Sequence, residues 1–172
     1  HHFSQVEERG YFFLTSENQE FLFQQAKDLG IGSLVILNTC NRTELYGYGD
    51  IVIIQNLFFK VLKIPQALQH KIITKTGADA VEHIFKVTSG LDSKIIGDLE
   101  ILGQMKAAFH LSKKHNMLDG FFERLANTCI QATKEIRSKT KISEGTISLA
   151  YAIVKILKEK EAYQQSKILV IG

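Results

Sequence analysis

One cysteine stands in a stretch whose residue types suit acyl-transfer chemistry. Cys40 follows an apolar run and lies within the sequence NTCNRTELY at residues 38–46. A thiol reacts as its thiolate, which a nearby cation or backbone N–H groups stabilise. Arg42 supplies such a cation, and its planar guanidinium can also hold a carboxylate through two hydrogen bonds. The loop predicts either a nucleophilic thiol or, as the structural alternative, a half-buried cysteine at a strand end with Arg42 paired to Glu44.

A histidine that could exchange protons with such a thiol occurs at position 83. His83 falls in a predicted helix, and Asp79 precedes it on the same helical face, so the carboxylate is placed to orient the imidazole. A cysteine with an oriented histidine is the minimum for thiol-based acyl chemistry. The alternative is a partly exposed histidine on an amphipathic helix.

A stretch interrupted by glycines follows at residues 89–104 and reads SGLDSKIIGDLEILGQ. Gly103 falls inside a helical pattern, where glycine costs about 1 kcal/mol relative to alanine. We therefore expect close packing or the approach of a ligand at Gly103. The glycine spacing is not that of a phosphate-binding loop, and the alternative is an ordinary junction between two helices.

The elements that must position these residues alternate between helix and strand up to about residue 90. The pattern predicts a helix capped by Ser16 with Gln19, strands at 34–37 and 45–48, a helix at 50–62, a strand at 72–74 and a helix at 76–88. Apolar residues at helical spacing then predict helices at 99–115, 121–139 and 148–163. This order indicates an α+β fold.

Bulk composition narrows the class of protein. Hydrophobic residues make up 45% and charged residues 23% of the 172 residues, which is typical of a soluble globular protein. No apolar run reaches the length of a membrane span, and the charge of +3 does not diagnose a nucleic-acid partner. Two cysteines make no disulfide framework and, with the histidines, no zinc-ligand spacing, so we predict no metal and a reducing, cytoplasmic setting. Cys129 lies on an apolar helical stripe and is predicted to be buried.

Together these stretches resemble the glutamyl-tRNA reductases, which supply tetrapyrrole synthesis. The resemblance is carried by residues 39–46, by His83 placed before Ser93, by residues 89–93 with 101–104, by 137–142, and by the short apolar run at 168–172. It lies mainly in residues 34–172, and residues 1–33 carry little of it. The chain departs from the family at Asp98, where the family usually has glutamate.

The resemblance implies a chemistry for the predicted site. Cys40 would attack the ester that joins glutamate to its tRNA, and NADPH would reduce the resulting thioester to glutamate-1-semialdehyde. His83 would promote proton transfer. Thr39, Asn41 and Arg42 would line the glutamyl pocket, with Arg42 facing a substrate carboxylate. Further substrate contacts would come from Ser93, Asp98, Leu99, Glu100 and Gln104, and Gly172 would begin the cofactor site.

The resemblance also implies an organisation and partners. It predicts a ferredoxin-like catalytic domain at residues 1–95, a helical segment with a linker helix at 96–166, and the first strand of a Rossmann-type NADPH domain at 167–172. From this we expect the chain to form the thioester without reducing it. The implied partners are glutamyl-tRNA, a second copy in a homodimer and the downstream aminomutase, with no membrane.

Two other functions remain open from the residues alone. The chain could be an RNA-binding α+β module in which Cys40 is structural, although few aromatic residues are interleaved with the basic ones. It could also be a redox-sensing thiol protein, although no resolving cysteine lies near Cys40 in the sequence.

Overall fold

The computed structural model describes residues 10–140, 142 and 156–159. A 3-10 turn at Gly10–Phe12 precedes the regular elements. These are α1 (Ser16–Asp28), β1 (Ser33–Asn38), β2 (Thr43–Tyr48), α2 (Ile51–Leu62), the short α3 (Gln66–Gln69), α4 (Gly77–Ser89), α5 (Glu100–Lys114) and α6 (Gly120–Lys139). Helices dominate, and the predicted α+β class is confirmed.

The two strands form an antiparallel hairpin that helices cover on both faces. Its register runs from Ser33 opposite Tyr48 to Asn38 opposite Thr43. Because side chains alternate along a strand, β1 faces two separate apolar clusters. Leu34 and Ile36 pack with buried residues of α1 and α2, whereas Val35 and Leu37 pack with those of α4, α5 and α6. The hairpin thus joins both layers, and its loop emerges at their edge.

Local chemistry explains where the helices begin and end. The side chain of Asp50 accepts hydrogen bonds from the N–H groups of Val52 and Ile53, which caps α2. Thr15 caps α1 by accepting a hydrogen bond from the Asn18 N–H, so the prediction that Ser16 is the cap was wrong by one residue. Either hydroxyl can serve, and the chain uses the earlier one.

The strand predicted at residues 72–74 is wrong. Residues 72–76 belong to no regular element and pair with no strand in the described part of the chain, and Ile73 is 73% exposed. The segment is held instead by side chains, with Gln55 Nε2 donating to Thr74 Oγ1 at 2.6 Å. β propensity without a neighbouring strand gives an irregular linker rather than a sheet.

Predictions near the end of the chain fall mostly outside the described residues. The helix at 148–163 is described only at residues 156–159, of which 156–158 are helical, and the strand at 167–172 is not described. The boundary predicted between residues 95 and 96 stays a prediction, and helices on both sides of it share the cluster around Val35 and Leu37. Among the described residues, no helix combines the length and apolarity that crossing a bilayer requires.

Candidate active site

The hairpin loop is anchored by Asn38 at the end of β1. Its Oδ1 accepts hydrogen bonds from the Leu14 N–H at 3.2 Å and from Thr43 Oγ1 at 3.0 Å. Its Nδ2 donates to the Leu14 carbonyl at 2.7 Å. One amide therefore ties both ends of the loop to the segment that precedes α1.

Within the loop, Thr39 folds the backbone around Cys40. Thr39 Oγ1 accepts hydrogen bonds from the Asn41 N–H at 3.2 Å and the Arg42 N–H at 3.1 Å. The Thr39 N–H donates to the Arg42 carbonyl at 2.8 Å, which closes the turn. Cys40 and Asn41 are left exposed at the apex. The thiol is thus presented to solvent by a loop that local hydrogen bonds close.

Arg42 turns inward and is buried, with its side chain 4% exposed. Its Nη1 donates to Glu44 Oε1 at 2.9 Å and to Asp92 Oδ2 at 3.1 Å, and its Nη2 donates to the Asp92 carbonyl. The pairing of Arg42 with Glu44, raised above as the structural alternative, is present. Asp92, from the connection between α4 and α5, adds a second carboxylate.

Glu44 joins the arginine to the histidine. Besides the bond from Arg42, it accepts one from the Tyr46 hydroxyl, and its Oε2 lies 3.3 Å from His83 Nε2. Burial raises the pKa of Glu44, but the hydrogen bond to His83, the charge of Arg42 and the Tyr46 hydroxyl outweigh it, so the pKa lies below its ordinary value. Glu44 is therefore a carboxylate at neutral pH.

Tyr46, the hydrogen-bond partner of Glu44, is a neutral phenol at neutral pH. Burial and the negative charge of Glu44 raise its pKa well above the ordinary value. Its ring is tilted against the His83 ring, with the centroids 6.4 Å apart. Tyr46 therefore supplies a neutral hydrogen-bond donor and one wall for the imidazole.

The carboxylate that orients His83 is Glu44 rather than Asp79. Asp79 is exposed on α4, and within the described residues it makes no hydrogen bond to His83. Helical spacing placed Asp79 on the correct face, but the imidazole turns toward the hairpin, where Glu44 is already ionised. Sequence reasoning connected Glu44 only to Arg42, and no local signal links it to a residue 39 positions away.

A cleft of about 1640 Å³ opens beside the hairpin and is lined by the predicted residues of the hairpin loop and by His83. Its wall includes Thr39, Cys40, Asn41, Arg42, Glu44, His83 and Asp92. The residues predicted from the next segment do not line it, namely Ser93, Asp98, Leu99, Glu100 and Gln104. The structure therefore brings together the loop and the histidine, and it places the second group on an adjoining surface.

That adjoining segment is a compact turn built on Gly90. Gly90 has φ +81°, and its carbonyl accepts hydrogen bonds from the Ser93 and Gly97 N–H groups. A Cβ at Gly90 would lie 3.0 Å from the backbone N and O of Asp98. Asp98 accepts at Oδ1 from the Glu100 N–H, and its carbonyl accepts from Arg137 Nη2 at 2.8 Å. The Asp98 side chain thus forms a hydrogen bond with the first residue of α5.

Gly103 does not meet the prediction of close packing. It is exposed on α5, and apart from the backbone of its own helix no atom of the described residues lies within 4 Å of the position a Cβ would take. Open space, rather than a neighbouring backbone, adjoins this glycine.

Three side chains of the cleft approach metal-ligand geometry. Ligand atoms of Glu44, His83 and Asp92 lie within 4.8 Å of one another. Arg42 Nη1, however, donates to both carboxylates and already supplies a positive charge. The donor set therefore suits a divalent cation poorly, because the ion would have to displace a buried guanidinium.

Cys129 contrasts with Cys40. It is buried among apolar residues of α4, α5 and α6, as predicted. Burial raises the pKa of its thiol to about 12, against the opposing effect of a hydrogen bond with Thr88. Cys129 is therefore unreactive in the folded chain.

These features define a class: an α+β domain with one cleft that is lined by an exposed thiol and by a partly buried arginine–carboxylate–histidine network. Comparison with known proteins gives the family. The family model described as "Glutamyl-tRNAGlu reductase, N-terminal domain" matches residues 1–140, including the first 33 residues that carried little of the resemblance. The chain belongs to this family.

The relatives agree on the name. A glutamyl-tRNA reductase of Christiangramia forsetii is 40% identical, over 97% of this chain and 41% of the relative. One from Aquifex aeolicus is 32% identical, over 85% and 37%. The solved structure of glutamyl-tRNA reductase from Methanopyrus kandleri has a TM-score of 0.74 at 30% identity, over 92% of this chain and 37% of that one. The chain spans about two fifths of the length of such relatives.

Proposed function

We propose that this chain is the part of a glutamyl-tRNA reductase that removes the glutamyl group from tRNA, with Cys40 as the nucleophile. The observation that carries the proposal is the exposed thiol of Cys40 at the apex of a locally closed loop, on a cleft shared with Arg42 and His83. The family supports it, since the relatives are named for this reaction.

The bonds and protons of the proposed acyl transfer are accounted for without a metal ion. The Cys40 thiolate attacks the ester carbonyl, a C–S bond forms, and the C–O bond to the terminal ribose breaks. The ribose oxygen leaves with a proton as the free hydroxyl of tRNA. Reduction is the second half of the proposed activity, for which bound NADPH would supply the hydride that converts the thioester to the aldehyde and frees the Cys40 thiolate. No residue of the described part of the chain is assigned to that cofactor.

His83 is the proposed proton carrier at the acyl centre. Its Nε2 faces the Glu44 carboxylate, which fixes the ring and favours the tautomer with a proton on that nitrogen. The other nitrogen is then available to a substrate or water in the cleft. Glu44 is a positioning residue in this scheme, because it acts through His83 and Arg42.

Arg42 is the proposed partner of a substrate carboxylate. Two carboxylates already bind its Nη1, and the side chain of Asp92 is the more exposed of the two, 34% against 19% for Glu44. We infer that Asp92 gives way when substrate enters, while Glu44 keeps the guanidinium in place. Ser93 and the segment with Asp98, Leu99, Glu100 and Gln104 remain proposed substrate contacts, as does Gly172 for the cofactor.

The partners follow from the same proposal. Glutamyl-tRNA is the substrate, and a protein that uses charged tRNA would work in the cytoplasm. A homodimer and the downstream aminomutase are further proposed partners, on the resemblance to the family alone.

Trapping of the acyl intermediate tests the proposal. The intact protein is mixed with glutamyl-tRNA in the absence of NADPH, quenched in acid and mapped by mass spectrometry. We expect one glutamyl group on Cys40, its loss in Cys40→Ser, and its retention in Cys129→Ala.

The controls separate the competing functions. An RNA-binding module with a structural cysteine would bind the tRNA and carry no adduct. A redox-sensing thiol would react with peroxide without any dependence on charged tRNA. The absence of an adduct in the unmodified protein would refute the proposed function.

A further inference from the structure

Aromatic rings are exposed on the wall of the cleft. Phe13 is 52% exposed, Tyr48 is 69% exposed and Phe121 is 47% exposed, and all three line the cavity that Cys40 also lines. Single exposed apolar residues are ordinary on a protein surface and need no function. Rings that line the same cleft as a reactive thiol are a narrower observation, because flat ligands bind on such faces.

The three rings lie at different ends of the hairpin, and two of them are at the end far from the thiol. Tyr48 is paired with Ser33, at the end of the hairpin opposite to the Cys40 loop. Phe121 belongs to the same end, because the nearby Asp119 N–H donates to Ser33 Oγ at 3.1 Å. A strand rises about 3.3 Å per residue, so the six residues of β1 separate its ends by roughly 16 Å.

Phe13 stands at the Cys40 end. It directly precedes Leu14, whose backbone N–H and carbonyl are both bonded to the side chain of Asn38. Asn38 also accepts from Thr43 Oγ1, so the same amide fixes the loop that carries Cys40. Among the exposed rings of the cleft, Phe13 is therefore the one fastened to the reactive loop.

The proposed substrate supplies a ligand for that ring. In an aminoacyl ester, one ribose separates the acyl carbonyl from the terminal base, so a base must lie close to the thiol during the transfer. Base–aromatic stacking is strong and tolerates any base, and proteins use it to hold unpaired nucleic-acid ends. Lys71 and Lys75 also line the cleft and bring positive charge to the space that a polyanion would enter.

We propose that Phe13 is the stacking platform for the base of the 3′-terminal nucleoside of the tRNA, the nucleoside that bears the glutamyl ester. The inference rests on the proposed function and adds a site for the nucleoside beside the site for the glutamyl group. The aromatic and basic residues are separated in the sequence, and the fold brings them to one cleft.

The test compares two substrates on the intact protein. One is glutamyl-tRNA, and the other is the α-ethyl ester of glutamate, which has the same acyl group and no nucleoside. The rate constant for acylation of Cys40 is measured with each substrate for the unmodified protein, Phe13→Ala, Phe13→Tyr and Phe21→Ala. Phe21 is a matched control, because it is 49% exposed on α1 and does not line the cleft.

We expect Phe13→Ala to slow acylation by glutamyl-tRNA about 5- to 150-fold, the range for loss of one base–aromatic stack. Acylation by the ethyl ester should not change, Phe13→Tyr should keep nearly full activity, and Phe21→Ala should match the unmodified protein. A thermal melt of each variant checks that the fold is kept.

The outcomes separate this inference from the proposed function. An unchanged rate in Phe13→Ala, an equal loss with both substrates, or an equal loss in Phe21→Ala would each overturn the role of Phe13 while leaving Cys40 as the nucleophile. Absence of any adduct in the unmodified protein would overturn both.

Discussion

At the scale of single residues, side chains of the same type have different chemical roles because the fold gives them different burial and different partners. Cys40 is exposed, whereas Cys129 is buried with its thiol pKa raised to about 12. Glu82 is an exposed carboxylate paired with Lys86, whereas Glu44 is a partly buried carboxylate shared by three donors. Burial and hydrogen-bond partners, rather than residue type, assign the chemical roles.

The two thiols should therefore differ in their reaction with a labelling reagent. In the native protein at pH 8, iodoacetamide should modify Cys40 alone, because Cys129 is neither accessible nor ionised. In guanidinium chloride both should react. Peptide mapping by mass spectrometry reads the sites, and rapid labelling of Cys129 in the native protein would contradict the burial described here.

Replacing Glu44 tests the buried network. Glu44→Gln keeps the shape but leaves His83 without its carboxylate and Arg42 with Asp92 as its one remaining carboxylate partner among the described residues, and we expect a loss of about 1–3 kcal/mol in the free energy of unfolding at pH 7. Because the pKa of Glu44 is lowered by folding from its ordinary 4.5, the stabilisation is present above that pH and disappears as the pH falls through the folded value.

The measurement is chemical denaturation of both proteins from pH 7 down to pH 3. The difference between them should shrink on the acid side. Glu82→Gln is the control, since the exposed Glu82–Lys86 pair should contribute little at any pH. A difference that stayed constant across the range would show that the charge of Glu44 does not matter to stability.

At the scale of elements, the connection from α4 to α5 carries both Asp92 and the turn on Gly90. Gly90 ends α4 with φ +81° and approaches Asp98, and this geometry holds the turn that delivers Asp92 to Arg42. Arg137, on α6, holds the same turn through the Asp98 carbonyl. Three helices thus fix the position of one half-buried carboxylate, that of Asp92.

Two glycine substitutions on this segment should have opposite signs. Gly90→Ala should destabilise the protein by about 1–2 kcal/mol, because its positive φ is unfavourable for alanine and the new Cβ would press on the Asp98 backbone. Gly103→Ala should stabilise it by about 0.5–1 kcal/mol, because Gly103 lies inside α5 with open space beside it. Urea denaturation measures both, and equal effects would contradict the geometry.

At the scale of the whole molecule, the sequence predicted the elements better than the contacts between them. Strand ends and helix faces placed Cys40 on a loop and Cys129 in the core, since burial follows local periodicity. The partner of His83 could not be read in this way, because Glu44 lies 39 positions earlier, and Asp92 lies 50 positions beyond Arg42. The same holds for Leu14, the residue after Phe13, whose hydrogen bonds with Asn38 join positions 24 residues apart.

The strand predicted at residues 72–74 is wrong because a strand also depends on contacts that the local sequence does not show. Residues 72–74 have a local preference for extended backbone, but a strand exists only where another strand is in register beside it. The hairpin formed because its two halves are close in sequence. A contact between distant segments forms only in the complete fold, and no local sequence pattern indicates it.

The amide of Asn38 has a practical consequence for anyone who engineers this protein. It couples the backbone at Leu14 to the loop that presents the thiol, so tension applied ahead of α1 is passed to the reactive end of the hairpin. An insertion directly before Leu14 would therefore disturb the loop of the nucleophile and would also displace Phe13 from the cleft.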